Sequence, residues 1–291
     1  PVDNQSQASM LISATLTTAQ NWRPALLLSL FVMVVATTSC ATGHRSAHAI
    51  AAEHGFRKTL ANGTRWQHVV FEKEVAAAEN ASLHVYIEGD GKPWLDGRYP
   101  APDPTPDYAL AMALMALDPG PAIYLGRPCY FGMADSPACE PRLWTSARYS
   151  EEVVASMAGV IRRYQNEPQI SHLVLIGYSG GGALATLLAA ELGGDIVMDT
   201  IAGNLDTDAW TSTRGYQPLS ESHNPVDSVA TLDETQQLHL IGGRDEVVPP
   251  AVTRSFTRHL GDKSTREYPE FDHRCCWVDA WPAILGTIPD T

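Results

Sequence analysis

Apolar positions along the chain switch repeatedly between two periods, and the switches mark out alternating strands and helices. Residues 65–72 (Arg-Trp-Gln-His-Val-Val-Phe-Glu) alternate in the manner of a strand. Short apolar runs at 83–88, 122–125, 173–176, 195–202, 237–242 and 264–269 predict further strands, most of them bounded by glycine, proline or acidic residues. Helices are predicted between them. Residues 108–117 are rich in Ala, Leu and Met and are stopped by Asp118-Pro-Gly-Pro121. Residues 149–164 carry an apolar stripe at 153, 154, 157, 160 and 161, with Ser150 as N-cap and Glu151 and Glu152 in the first turn. Residues 180–192, 251–260 and 276–285 complete the set, the last with a break expected at Pro282. Residues 76–80 read as a turn, 93–106 as a proline-rich loop, and 204–234 have no clear period and predict a small cap or a long loop. This alternation predicts a mainly parallel central sheet with helices on both faces. In such sheets the working groups stand at the C-terminal ends of the strands. The polar residues expected there are Glu88 to Gly91, Ser179, Asp206, Asp245 and His273.

Composition changes this picture little: 291 residues, 44% hydrophobic and 18% charged, suit one large α/β domain or two small ones. A net charge of −13 and the lack of a basic stripe argue against a nucleic-acid partner. The N-terminal region stands apart. Arg23 precedes an apolar run at 25–36, which is short for a bilayer span and suits the core of a secretion signal. Thr37-Thr-Ser-Cys40 then resembles a bacterial lipoprotein processing site, making Cys40 the expected lipidated residue and the route to the membrane; Thr37 departs from the leucine-like residue usual there. A plain signal peptide cleaved nearby, or an uncleaved anchor, is the alternative. The chain thus divides into a leader (1–39), a tether leading to an early helix or strand (40–64) and a main domain (65–291). The leader holds one Asp and one Arg, so its removal leaves the charge at −13.

Export also sets how the cysteines read. In an oxidising compartment Cys129 and Cys139 are expected to close a short loop, worth ~2–3 kcal/mol. Cys275 and Cys276 are adjacent and could bond to each other, stay reduced or pair elsewhere. Adjacent cysteines suit tetrahedral zinc poorly and no C-x-x-C is present, so neither a metal nor another cofactor is expected.

Chemistry concentrates in Gly177-Tyr178-Ser179-Gly180-Gly181, which follows the apolar run at 173–176 and opens the helix at 180–192. G-x-S-x-G between strand and helix is the nucleophile elbow of serine hydrolases. A serine hydroxyl needs a histidine base, and the histidine needs a carboxylate to fix its tautomer. Among the downstream histidines, His239 lies within a strand, His259 on a helix and His223 in the aperiodic stretch. His273 follows the last strand and is the expected base. Asp245, just past a strand end in Gly243-Arg-Asp245-Glu-Val-Val-Pro249, is the expected acid, with Asp206 as runner-up; Asp272 adjoins His273 too closely to face it.

These motifs, in this order and at these strand ends, resemble the α/β-hydrolase superfamily from about residue 65 onwards, in particular exported bacterial lipoprotein members. The resemblance implies an α/β-hydrolase fold and a serine hydrolase of carboxylic esters or related acyl substrates, acting on a small molecule through an acyl-enzyme on Ser179. It also implies an oxyanion hole made by the backbone N–H groups of Gly180 and Asp90, with Glu88 where the family often has histidine. The Asp90 carboxylate is expected to turn away, towards Lys92 or water. Trp94, Trp144, Trp210 and Tyr178 are candidates to line an acyl pocket. An acyltransferase with the same triad, or a non-catalytic envelope binding protein on the same fold, are the competing readings.

Overall fold

The computed structural model describes residues 45–73, 80–261 and 264–288. The leader, Cys40 and most of the turn expected at 76–80 lie outside the described residues. Helix α1 (Ala47–His54) and strand β1 (Arg57–Asn62) come first, within the stretch expected as a tether. Ser46 caps α1 by accepting the Ala49 N–H, Gly55 closes it at φ 69°, and Ala47, Ile50 and Ala51 are buried. Then follow β2 (Gln67–Glu72), β3 (Ala81–Ile87), a small hairpin of β4 (Trp94–Leu95) and β5 (Tyr99–Pro100), α2 (Leu110–Leu117) and β6 (Ala122–Leu125). After a 3-10 turn at Pro141–Trp144 come α3 (Glu151–Gln165), β7 (Ile170–Tyr178), α4 (Gly180–Leu192), β8 (Ile196–Ile201) and α5 (Thr207–Arg214). A 3-10 segment (Pro225–Leu232), β9 (Gln236–Gly242), α6 (Pro250–Thr257), β10 (Thr265–Tyr268) and α7 (Trp277–Leu285) complete the order.

Eight strands form one sheet in the order β1-β2-β6-β3-β7-β8-β9-β10. β1 and β2 pair antiparallel, β2 meets β6 antiparallel, and every pairing from β6 to β10 is parallel. The expected mainly parallel sheet is therefore present. Its central strands β3, β6, β7 and β8 are buried on both faces over most of their length, as parallel strands covered by helices must be. Along β7, Leu173 and Leu175 pack with Met157, Ile161 and Leu184 of α3 and α4. Val174 and Ile176 point the other way, towards Leu110 and Met112 of α2 and Trp277 and Trp281 of α7. α7 continues through Pro282, where a break was expected. Its anchors Trp277 and Trp281 are both fully buried, and that packing outweighs the single backbone hydrogen bond a proline removes. Cys129 and Cys139 are disulfide-bonded with Cα atoms 5.7 Å apart, and Cys275 and Cys276 are bonded to each other. Among the described residues no helix is long and apolar enough to cross a membrane.

Candidate active site

Six parallel strands deliver loops to one end of the sheet, and Ser179 stands at the end of the central strand β7. Its backbone is in a region that L-residues rarely adopt, φ 54° and ψ −120°. Three hydrogen bonds hold it there: Ser179 N–H donates to Ile201 C=O at 2.9 Å, and its own C=O accepts from Gly182 N–H at 2.9 Å and Asn204 N–H at 3.0 Å. The flanking glycines are set by close backbone approach. A Cβ on Gly177 would stand 2.2 Å from the Gly181 carbonyl oxygen, and one on Gly181 would stand 2.1 Å from that of Ile87. Gly180 is the first residue of α4, so its N–H has no carbonyl acceptor within the helix.

Across the end of the sheet, His273 Nε2 lies 3.0 Å from Ser179 Oγ, and His273 Nδ1 lies 2.7 Å from Asp245 Oδ2. Asp245 and His273 are only 4% and 8% exposed. Asp245 Oδ1 already accepts the N–H groups of Val247 and Val248, both at 2.8 Å. Its other oxygen accepts the Nδ1 proton of His273, which leaves Nε2 to accept from the serine hydroxyl. The histidine loop is fixed from both sides. Tyr178 Oη donates to the His273 carbonyl at 3.0 Å, and Asp272 Oδ1 accepts the N–H groups of Arg274 and Cys275 at 2.7 Å each. The structure thus brings Ser179, His273 and Asp245 together. It gives Asp206 a different position, capping α5 through the Ala209 N–H and accepting from Asn224. His239 is buried between Thr200 and Gln237, and burial lowers its pKa to about 3.

The loop after β3 lies directly against the serine: a Cβ on Gly89 would come 3.3 Å from Ser179 Cβ. Glu88 turns from the cavity into the fold, where Gly89 and Ala111 donate their N–H groups to it. It supplies the cap that α2 lacks at Ala109, and burial pushes its pKa up to about 7. Asp90 corrects an expectation. Its carboxylate does not turn to Lys92 but sits between the guanidinium groups of Arg127 and Arg148, at 2.9 and 2.8 Å, and accepts the Tyr149 hydroxyl at 2.7 Å. Lys92 pairs instead with Asp107. Physically, a carboxylate this close to the sheet needs partners more than exposure. Burial opposes its ionisation, yet Arg148, Arg127 and Tyr149 hold its pKa below the ordinary range.

Above Ser179 opens a cavity of about 1230 Å³. Trp94 and Arg98 of the β4–β5 hairpin form one side, Trp210, Tyr216 and Leu219 of the aperiodic stretch another, and Tyr178 and His273 stand at the base. Trp144, also a candidate lining residue, is instead buried in the core beside Tyr130 and Leu143. Arg127, Tyr130, Arg148 and Tyr149 were invisible as site residues in the sequence. They come from segments far from Asp90 in the chain, and no local spacing ties them to it.

No family model matches the chain by sequence, and no curated protein does either. Solved structures do resemble it. An esterase from Pyrococcus furiosus aligns over 82% of this chain and 92% of its own, with a TM-score of 0.57 and 11% identity. A protein from Xanthomonas campestris described as an α/β serine hydrolase without a lid aligns over 81% and 96%, with a TM-score of 0.52 and 14% identity. An acylaminoacyl peptidase from Pyrococcus horikoshii aligns over 78% of this chain but only 39% of its own, with a TM-score of 0.54 and 14% identity. At such identities the likeness is one of architecture, and it agrees with the strand order and helix placement above. The chain has the α/β-hydrolase fold.

Proposed function

We propose that the protein is a serine hydrolase of carboxylic esters or related acyl substrates, with Ser179, His273 and Asp245 as its catalytic residues. The observation that carries this reading is the unbroken relay from Ser179 Oγ to His273 Nε2 and from His273 Nδ1 to Asp245, at 3.0 and 2.7 Å, on a strained turn at the cavity floor. Ser179 Oγ attacks the carbonyl carbon while its proton passes to His273 Nε2. The negative charge that develops on the carbonyl oxygen is taken by the N–H groups of Gly180 and Asp90. As the tetrahedral adduct collapses, the protonated histidine gives its proton to the departing alkoxide, leaving the acyl group on Ser179. A water molecule deprotonated by His273 then attacks the acyl carbon, and Ser179 leaves with the proton. Asp245 keeps the histidine in the tautomer that both halves require. Esterases and a serine hydrolase among the similar folds support the reaction class. Trp94 and Tyr216, 41% and 50% exposed at the mouth, suit an ester with an apolar or aromatic body.

Export with a lipid on Cys40 belongs to the same reading. It is supported by the apolar run at 25–36, the small residues before Cys40 and the Cys129–Cys139 disulfide, a bond suited to an oxidising compartment. Metabolic labelling with a fatty-acid analogue should mark the wild type and not Cys40→Ser; equal labelling of both sets that site aside. For the chemistry, a panel of p-nitrophenyl esters should be turned over by the wild type and not by Ser179→Ala. Turnover of the whole panel at wild-type rates by the alanine variant would remove Ser179 as nucleophile.

A further inference from the structure

The Asp90 carboxylate is held by three side chains beside the candidate site, and nothing in the acyl-enzyme cycle above uses it. Arg148 Nη1 lies 2.8 Å from Oδ2, and its Nε donates to the Thr145 carbonyl at 2.7 Å. Arg127 Nη1 lies 2.9 Å from Oδ1, and its Nη2 donates to the Glu88 carbonyl at 3.3 Å. The Tyr149 hydroxyl reaches both carboxylate oxygens, at 2.7 and 2.8 Å, and the Tyr130 hydroxyl donates to the Asp90 carbonyl at 2.8 Å. The Arg127 guanidinium lies 5.8 and 5.6 Å from the ring centres of Tyr130 and Tyr149. Both arginine side chains are 4% exposed and the aspartate 14%.

Two features set this cluster apart from ordinary core bracing. The first is its place. A Cβ on Gly180 would fall 2.1 Å from Asp90 Oδ1 and 2.5 Å from Tyr149 Oη, so the carboxylate rests on the Cα of the residue after the nucleophile. One side chain therefore touches both backbone segments expected to bind the oxyanion, its own and that of Gly180. The second is its charge. Two guanidinium groups against one carboxylate leave +1; Glu88, which feels Arg127, offsets this only in part, because burial raises its pKa to about 7 and its oxygens accept the N–H groups of Gly89 and Ala111. Taking three charges out of water costs several kcal/mol per ion, and apolar side chains could close the same space at less cost. A net positive charge fixed behind Ser179 has a use only when negative charge appears in front of it.

Building on the serine-hydrolase reading, we propose that Asp90, Arg127 and Arg148 are positioning residues for the oxyanion hole. The Asp90 carboxylate sets the two N–H donors, and the surplus positive charge of the arginines stabilises the tetrahedral oxyanion over the neutral ester. Because the ester carries no such charge, the contribution falls on the transition state and not on substrate binding. It acts through kcat and leaves KM alone.

The test compares Arg148→Lys, which keeps the charge, with Arg148→Gln, which removes it. Both are assayed in the full chain with a p-nitrophenyl ester and with a boronic acid that forms an anionic tetrahedral adduct on serine. Arg148→Gln should lose about 10- to 100-fold in kcat with KM within about twofold, and boronate affinity should fall in parallel. Arg148→Lys should recover most of both losses. Melting temperatures of the two variants are compared, and Tyr149→Phe serves as a second probe that loosens Asp90 without changing the charge; it should lose less in kcat than Arg148→Gln. Equal losses for Lys and Gln at equal melting temperature, a loss confined to KM, or an unchanged kcat for Arg148→Gln would each overturn the proposal. If Arg148→Gln does not fold, a Tyr149→Phe variant with wild-type kcat and boronate affinity overturns it, and a selective drop in kcat sustains it. A wild type modified by fluorophosphonate at Ser179, together with any of those negative results, leaves the serine reading standing and removes this inference alone. A wild type that resists modification removes both.

Discussion

Replacing Asp245 by asparagine isolates the step on which the proposed chemistry depends most sharply. The substitution preserves shape, so the fold should persist. Its chemical effect is set by the two backbone N–H groups of Val247 and Val248, both 2.8 Å from Oδ1. They demand an acceptor, which pins the asparagine carbonyl oxygen at that position. The amide NH₂ is then forced to face His273 Nδ1, at the place where Oδ2 now lies 2.7 Å away. The opposite orientation would point the NH₂ at two donors and leave buried N–H groups unsatisfied, at ~1–3 kcal/mol each. Facing a donor, Nδ1 must become the acceptor, so the ring proton moves to Nε2 and points at Ser179 Oγ. The histidine can no longer take the serine proton. The comparable change in a serine protease lowers kcat ~10⁴-fold, which corresponds to ~5 kcal/mol of transition-state stabilisation. Steady-state kinetics on a p-nitrophenyl ester should show a loss of that order in kcat with unchanged melting temperature. Activity within about tenfold of wild type would refute the tautomer argument and the assignment of Asp245 as the acid.

Other consequences follow from the same structure. Gly180→Ala places a Cβ 2.1 Å from Asp90 Oδ1; ester turnover should fall ~100-fold or more, and normal turnover would mean that the two segments are not held as described. Replacing both Cys129 and Cys139 by serine should cost ~2–3 kcal/mol in urea unfolding, since the bond closes a short loop that also carries Tyr130; an unchanged midpoint would mean that it constrains little. Asp199 is buried, and burial raises its pKa from an ordinary 3.8 to about 7. A carboxyl raised in this way contributes stability below its unfolded value and loses it as pH climbs through the folded one. Stability of the wild type relative to Asp199→Asn should therefore fall between pH 4 and 8, by up to ~4 kcal/mol. Urea titrations of both proteins at the two pH values test this, and a constant gap would contradict it.

Much of the fold could be read from the chain because its central strands are buried on both faces. Residues 173–176 show this most plainly, with an unbroken apolar run between α3 and α4 on one side and α2 and α7 on the other. The elements that escaped have weak patterns for physical reasons. β1 is an edge strand carrying Arg57 and Lys58, with no fully buried position. α5 buries only Thr207 and Thr211, so it lacks the apolar stripe that announces a helix. Its cap, Asp206, therefore looked like a spare strand-end carboxylate. Ser179, Asp245 and His273 were legible because each follows a strand and their order is distinctive. Asp90's partners were not, since Arg148 is 58 residues away in sequence and its relation to Asp90 exists only once the sheet is assembled. The capping of α2 by Glu88, across 23 residues, was hidden for the same reason.

The most direct test of the central claim is the site at which a fluorophosphonate attaches. The full-length protein is treated with the probe, digested, and the modified peptide is sequenced by mass spectrometry, with Ser179→Ala and His273→Ala treated in parallel. A single adduct on Ser179 is expected in the wild type, with none in the alanine variant at 179 and greatly slowed modification when His273 is removed. Modification of another residue, or equal labelling of all three proteins, would contradict the account of Ser179 as a nucleophile activated by His273.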